Sequence, residues 1–149
     1  MAAEAATSSE DCNCYAVRAA ARHVSQFYDQ VLAPTGMRTT QFSMLAKLKR
    51  KGPLSINALA ADMVMDRTTL GRNILPLQRD GLVRIEPDVA DRRAKVLHLT
   101  KAGEKRLQAA REKWAVAQER FETVFGRRRA AELRALLRAT VAGEFAPAN

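Results

Sequence analysis

The segment Asp66-Arg-Thr-Thr-Leu-Gly-Arg-Asn-Ile-Leu-Pro-Leu-Gln-Arg-Asp-Gly81 predicts a helix with two chemically different sides. At about 100° per residue, its apolar residues share one side, and these are Leu70, Ile74 and Leu77. The other side carries two hydroxyls, two guanidiniums and an amide, from Thr68, Thr69, Arg72, Asn73 and Arg79. Asp66 is a good N-cap and Gly81 a good C′ residue, so both ends of the helix are marked.

The polar side of this helix has the chemistry of a DNA-reading surface. Arginine donates two hydrogen bonds to guanine O6 and N7, and threonine bonds a base or phosphate or touches a thymine methyl. A solvated surface helix is the alternative, but such a helix usually carries mixed Glu/Lys pairs. This side has one acid, Asp80, and it lies at the C-terminal end of the helix. We therefore interpret the segment as a DNA recognition helix and expect bases to be read before Pro76, which interrupts its C-terminal half.

The charge distribution supports a nucleic-acid partner. The 149 residues include 25 basic and 16 acidic side chains, for a formal net charge of +9. Residues 1–37 hold 2 basic and 4 acidic side chains, residues 38–100 hold 12 and 6, and residues 101–149 hold 11 and 6. The positive charge therefore begins with the segment that contains the predicted recognition helix, as a nucleic-acid-binding surface requires.

Other classes of protein find little support in the sequence. No apolar run approaches the roughly 18 residues of a membrane span, and residues 1–12 read as a disordered tail without secretory features, so we expect a cytoplasmic protein. No phosphate-binding loop and no Ser/His/Asp set is evident, and we predict no enzyme activity and no cofactor. Cys12 and Cys14 are too close to staple a fold, and their spacing is tighter than in zinc sites, so we expect no metal.

Apolar spacing predicts three helices before the recognition helix. The first covers residues 14–33, where spacings of three and four between Cys14 and Val31 form a heptad-like seam. Thr39–Arg50 follows, capped by Thr39 or Thr40, and Ser55 caps a short helix over Ile56–Met63. Two short helices, a tight turn and a helix with a polar outer side are the helix-turn-helix arrangement.

The period then changes from that of a helix to that of a strand. Leu82–Pro87 and Lys95–Leu99 suit short strands, and the link between them holds two aspartates and two adjacent arginines. A β-ribbon with a basic tip directly after a helix-turn-helix predicts a winged helix, whereas a mobile surface hairpin is the alternative. His98 points away from Leu97 and Leu99 and is expected to be exposed.

Two further helices complete the chain, Lys101–Phe125 with Thr100 as its cap and Arg127–Gly143. Trp114 and Phe121 lie on an apolar seam of the longer helix and need a partner surface, which a symmetric homodimer supplies. The arginine run 127–129 is interpreted as a solvated turn. The predicted fold class is mainly α with a small β-wing. A winged helix-turn-helix module at 36–100 lies between dimerisation helices at 13–35 and 101–145.

The chain resembles the MarR family of bacterial winged-helix regulators over about residues 13–143. The most specific match is Asp91-Arg-Arg-Ala-Lys-Val-Leu-His-Leu-Thr100 followed by Gly103. It fits the family's Asp-x-Arg signature, which ends in Leu-Thr and a glycine. Met65–Arg72 and Asp80–Val83 also look like the family's recognition helix and its exit.

The resemblance implies a homodimeric repressor or activator that binds a pseudo-palindromic operator in double-stranded DNA. Thr68, Thr69 and Arg72 would contact bases, and Arg93, positioned by Asp91, would enter the minor groove. The remaining expected DNA-binding residues are Ser55, Arg67 and Arg92. A small phenolic or other anionic effector would release the DNA. Its expected site lies between the dimerisation region and the winged helix, nearest to Arg18, Tyr28, Phe42 and Met44.

Two other functions remain open. In the organic-peroxide-sensing branch of the family, a reactive cysteine near the start of the first helix works with tyrosines, and Cys14 has a similar place. Arg18 and Thr39 stand where helper tyrosines are expected, and Cys14 lies on an apolar seam where a buried cysteine is ordinary. A redox sensor using Cys14, with Cys12 the more exposed thiol, is therefore the second hypothesis. A winged helix that binds protein is the third.

Overall fold

The computed structural model describes residues 9–145. The expected disordered tail at 1–12 therefore lies largely outside the described residues. The helices are α1 Asn13–Leu32, α2 Thr39–Lys51, α3 Ile56–Asp62, α4 Arg67–Arg79, α5 Lys101–Phe125 and α6 Arg127–Ala142. Short 3₁₀ turns cover Ser9–Asp11 and Ala33–Thr35. In the described part of the chain, no helix combines the length and apolar character needed to cross a membrane.

Three short strands form one antiparallel sheet in the order β1-β3-β2. They are β1 Leu54–Ser55, β2 Val83–Pro87 and β3 Lys95–Leu99. Val83 pairs with Leu99 and Ile85 with Leu97, so apolar residues of the two ribbon strands lie opposite each other. β1 was not expected, because two residues are too short to show a period. It pairs through Leu54 with Leu97 and attaches the ribbon to the start of α3.

The predicted inner side of α4 is confirmed. Leu70, Ile74 and Leu77 are buried in a hydrophobic core to which α2, α3, the sheet and the start of α5 contribute. The helix continues through Pro76 to Arg79, and Gly81 follows in a left-handed conformation with φ 72°. The fold class predicted from the sequence, mainly α with a small β-wing, is therefore confirmed, and its element bounds differ by a residue at several ends.

Helix caps agree with the sequence at α3 and α4 but not at α2. The Asp66 carboxylate accepts from the Thr69 N–H at 2.8 Å, and Ser55 Oγ accepts from the Ala58 N–H at 3.0 Å. The prediction that Thr39 or Thr40 caps α2 was wrong, because Thr39 is already the first residue of the helix and Arg38 occupies the cap position. Its first N–H groups are bound by side chains instead: Gln41 Oε1 accepts from Arg38 at 3.0 Å, and Asp29 Oδ1 of α1 accepts from Thr39 at 2.7 Å.

The corner where the ribbon meets α5 explains the last part of the wing motif. Thr100 Oγ1 donates to the Gly81 carbonyl at 2.6 Å and accepts from the Gly103 N–H at 3.0 Å. A Cβ added at Gly103 would lie 2.1 Å from the Leu82 carbonyl oxygen. Only glycine therefore allows α5 to start this close to the chain that leaves α4.

The chain divides into two compact units, Met1–Trp114 and Ala115–Asn149, and α5 runs through the boundary. In the second unit, Ala117 and Ala130 are buried, and the Phe121 and Phe125 rings stack with centroids 5.4 Å apart. The arginine run at 127–129 is exposed as expected, but it forms the first turn of α6 and each arginine has a partner. Its partners are Glu119 and Glu122 for Arg127, Glu132 for Arg128 and the Phe125 ring for Arg129.

Candidate nucleic-acid interface

The predicted base-contacting residues lie on the outer side of α4 and differ in their exposure and in their hydrogen bonds. Thr68 and Arg72 are exposed, and Thr69 is half-buried. The Thr69 hydroxyl donates to Asp66 Oδ2 at 2.6 Å, so its hydrogen is already used within the helix cap. These bonds from the Thr69 side chain and N–H lower the pKa of the exposed Asp66 carboxyl. Thr69 therefore offers a base its methyl group and acceptor lone pairs, whereas Thr68 is exposed to solvent.

Two other polar residues of α4 are used inside the chain. Asn73 Nδ2 donates to the Thr69 carbonyl at 2.9 Å and so lies along the helix, not outward. Arg79 Nε lies 3.4 Å from the Asp80 carboxylate at the exposed C-terminal end. Arg72 is thus the arginine on this side that combines exposure with a place in the N-terminal half of α4.

The tip of the wing is shaped by two aspartate side chains. Asp88 Oδ1 accepts from the Ala90 N–H at 3.1 Å, and Asp91 Oδ1 accepts from the Arg93 N–H at 3.0 Å. The Asp88 N–H donates to the Ala94 carbonyl at 2.9 Å and closes the tip. Asp91 thus fixes the main chain of Arg93, whose side chain is exposed. Arg92 is exposed beside it.

An open cleft of about 210 Å³ lies where the base of the wing meets α3 and the start of α4. Its lining comes from three separate segments of the chain, namely Ser55, Ile56, Asn57, Arg67, Asp91, Arg93, Ala94 and Lys95. Three of these side chains are cationic and one is acidic, which suits an anion such as a DNA phosphate. Ser55 Oγ accepts from Ala58 and keeps its hydroxyl hydrogen for a further acceptor.

Half of the expected DNA-binding set lines this cleft, and half does not. Ser55, Arg67, Asp91 and Arg93 are members, while Thr68, Thr69, Arg72 and Arg92 lie outside its lining. Sequence reasoning missed Asn57 and Lys95. Lys95 begins β3 directly after the basic link, and that position was a usable signal. Asn57 carried no signal in the sequence, because its place depends on the pairing of β1 with β3.

Not all basic side chains of this region are available to an anion. Lys47 and Lys51 of α2 lie 2.9 and 2.7 Å from the Asp62 carboxylate of α3. Hydrogen bonds from Lys51 and then Lys47 are the main causes that lower the pKa of Asp62 to about 2. This pairing connects α2 to α3, and the single Asp62 carboxylate offsets one of the two lysine charges. His98 is also less free than expected, since its side chain is half-buried and Nε2 lies 3.4 Å from Glu86 Oε2.

The residues suggested for an effector occupy different environments. Met44 is fully buried in the core, and Phe42 is nearly so, stacked on Trp114 with centroids 5.8 Å apart. Tyr28 is half-buried and makes an edge contact with Phe27, whereas Arg18 is exposed on α1. Their role in binding an effector stays a prediction.

The two cysteines are both exposed in the single chain, and whether a second copy covers Cys14 on its seam stays a prediction. Leu32 is the buried residue of α1, so most of that seam lies open in the single chain. Cys12 caps α1, and its sulfur accepts from the Tyr15 N–H at 3.5 Å. Within residues 9–145, no three His, Cys, Asp or Glu side chains are grouped as a metal site would require.

Relatives with assigned roles match part of this chain. A sequence model described as the MarR family matches residues 38–95. "Transcriptional activatory protein BadR" of Rhodopseudomonas palustris is 32% identical over 95 residues, which is 61% of this chain and 50% of that protein. "HTH-type transcriptional repressor NicR" of Pseudomonas putida is 32% identical over 88 residues, 59% of this chain and 55% of that one. The chain therefore spans about half the length of these two relatives.

A solved structure extends the similarity to nearly the whole chain. The M. tuberculosis transcriptional regulator MosR, crystallised in complex with DNA, is 38% identical, with a TM-score of 0.76. The match covers 88% of this chain and 97% of that one. The helix-turn-helix, the wing with its Asp91–Gly103 motif and these three relatives lead to one conclusion. This chain belongs to the MarR family of winged-helix transcriptional regulators.

Proposed function

We propose that this chain is a transcriptional regulator that binds a specific sequence in double-stranded DNA, and that it acts as a repressor. The observation that carries the proposal is the cleft at the base of the wing, which unites Ser55, Arg67 and Arg93 from three segments beside the exposed side of α4. A single charged helix could be a solvated surface. Cationic and hydroxyl side chains that converge from separate elements are harder to explain without an anionic partner.

The geometry supports a different DNA contact for the residues of α4, of the wing tip and of the cleft. Arg72 and Thr68 of α4 contact base edges in the major groove, where an arginine reads guanine. Arg93 and Arg92 of the wing tip enter the adjacent minor groove, whose negative potential attracts arginine. Arg67 and Lys95 hold a backbone phosphate in the cleft, with the Ser55 hydroxyl as a further donor.

The proposal includes a homodimer on a pseudo-palindromic operator. In the first unit, α1 exposes Tyr15 and Val17 by 52% and 46%. In the second unit, α6 exposes Leu136 and Val141 by 68% and 63%. Several large apolar residues exposed on one helix are typical of surfaces that a second copy covers. Two copies present two recognition helices, which suits two half-sites about one helical turn apart.

The proposal also includes release of DNA by a small anionic or aromatic effector, as the family resemblance implies. An effector that binds one dimer geometry better than another shifts the population toward it and changes the spacing of the recognition helices. Arg18 and Tyr28 of α1 are the residues to test first, because Phe42 and Met44 are core residues whose substitution would disturb the fold.

A thiol switch is the second candidate function, favoured by the exposure of both cysteines. Cys14 lies in the first turn of α1, and oxidants reach an exposed thiol more easily than a buried one. This candidate uses the same DNA-binding scaffold and differs in the signal.

The test is footprinting of the full chain on the DNA that flanks its own gene, repeated with small phenols, organic anions and hydroperoxide. We expect protection of two half-sites and a steep salt dependence, since each neutralised phosphate contributes about −0.9 to the log–log slope. Loss of protection with an organic anion supports the effector, and loss with hydroperoxide supports the thiol switch. No protected site together with a slope near zero would favour a winged helix that binds protein.

A further inference from the structure

The outer side of α4 contains a large apolar residue at its centre. Leu75 is 59% exposed, although it is flanked along the helix by the buried Ile74 and Leu77. At about 100° per residue, it lies on the same side as Thr68, Arg72 and Arg79, about 60° from Arg72. Within residues 9–145, most of Leu75 is therefore left uncovered, and it lies among the residues proposed to face DNA.

A glycine extends this apolar feature along the helix. Gly71 lies one turn before Leu75, and a Cβ added there would meet nothing within 4 Å. No internal contact therefore requires the missing side chain, although glycine inside a helix costs about 1 kcal/mol relative to alanine. Gly71 and Leu75 form a stripe without polar atoms, which we call the apolar stripe, beside the polar stripe of Thr68 and Arg72.

The major groove offers one apolar group to such a stripe, the C5-methyl of thymine. Two arginines, Arg72 and Arg79, flank Leu75. Their positive charges would be matched by the phosphates of DNA, whereas the apolar surface of a partner protein would leave them without a counterpart. We propose that Leu75 is a specificity-determining residue that contacts a thymine methyl, with Gly71 allowing the helix backbone to approach closely. This inference rests on the proposed function, since it deepens how α4 reads the operator.

The experiment removes the methyl group and the leucine separately. A preferred duplex is first selected from a random library with the full-length chain. Each thymine of that duplex is then replaced by deoxyuridine, one at a time, and the dissociation constant is measured for wild type and for Leu75→Asn. Asparagine has nearly the shape of leucine but is polar. Gln78→Ala, an exposed change on the same helix, is the matched control, and circular dichroism during thermal unfolding checks that each variant folds.

We expect one thymine in each half-site at which deoxyuridine weakens wild-type binding about fourfold, the effect of burying one methyl-sized group. At that position the penalty disappears in Leu75→Asn and persists in Gln78→Ala. Equal penalties in wild type and Leu75→Asn at every position, or a selected site without such a thymine, overturn the inference. Failure to select any preferred duplex instead overturns the proposed function, so the two failures are distinguishable.

Discussion

At the scale of single residues, Arg72 is the side chain on which sequence preference should depend most. It is exposed in the N-terminal half of α4, whereas the Asn73 and Thr69 side chains donate hydrogen bonds within the helix and its cap. We expect Arg72→Ala to lose about 1–3 kcal/mol at the preferred site and to relax preference at one base position per half-site. Binding to a panel of single-base variants measures this effect. Arg79→Ala is the control, and an unchanged preference in folded Arg72→Ala would remove Arg72 from base reading.

The cysteines give a second prediction at this scale. We expect operator binding to survive about stoichiometric organic hydroperoxide, equally in wild type, Cys14→Ser and Cys12→Ser, measured by gel-shift titration. The reason is that Arg18 and Thr39 stand where helper tyrosines would activate the thiol, and a sensing thiol must react as the thiolate. If hydroperoxide released wild type from the operator but did not release Cys14→Ser, redox sensing would become the leading function.

At the scale of elements, the wing depends on the hydrogen bond from the Arg93 N–H to Asp91. Asp91→Ala removes the acceptor, whereas Asp91→Asn keeps an oxygen in its place and removes the same charge. We expect the alanine variant to bind the preferred duplex about fivefold more weakly than the asparagine variant, the value of one hydrogen bond. Titration of both variants at the same salt concentration measures the difference. Equal affinities would mean that Asp91 does not position the wing tip.

The contact between α2 and α3 predicts a pH dependence of stability. Lys51 and Lys47 lower the pKa of Asp62 to about 2 from 3.8, so the carboxylate stabilises the folded state above pH 3.8. This contribution is lost as the pH falls from about 4 toward 2. We expect Asp62→Asn to reduce the free energy of unfolding at pH 7 by up to about 1 kcal/mol, because the pair is partly exposed. Urea unfolding at several pH values should then show that the free energy of unfolding falls less between pH 4 and 2 in Asp62→Asn than in wild type. The same fall in both proteins would contradict the pairing.

Most of the elements could be predicted from the sequence because their signals are local. The Asp66 cap, the inner side of α4 and the two strands of the ribbon follow from residues close together in the chain. The features that were missed depend on contacts between distant segments. β1 exists because Leu54 meets Leu97, the start of α2 is capped by Asp29 of α1, and Asn57 reaches the cleft through the same pairing of strands.

At the scale of the whole molecule, the proposed dimer makes DNA affinity depend on residues far from the recognition helix. Leu136 of α6 is 68% exposed, so a charge there should leave the single chain folded. We expect Leu136→Asp to sediment as a monomer and to bind a two-half-site duplex no better than one with a single half-site. Trp114→Asp is a less selective change, because Trp114 also stacks on Phe42.

Analytical ultracentrifugation with a gel shift on both duplexes tests this expectation. Val89→Asp, at the fully exposed wing tip, is the control for an added charge in the ultracentrifugation alone, where it should stay dimeric. A Leu136→Asp monomer with undiminished preference for the palindrome would contradict the dimer proposal.

The corner at Thr100 and Gly103 has a mechanical consequence. Thr100 binds both the Gly81 carbonyl and the Gly103 N–H, and Gly103 leaves no space against the Leu82 carbonyl. These contacts leave no room for the start of α5 to rotate independently of the neighbouring chain. A turn of the first residues of α5 about their axis must therefore carry the exit of α4 and the end of β3 with it. Because the corner couples these segments rigidly, a displacement at the start of α5 would also move α4, the proposed recognition helix.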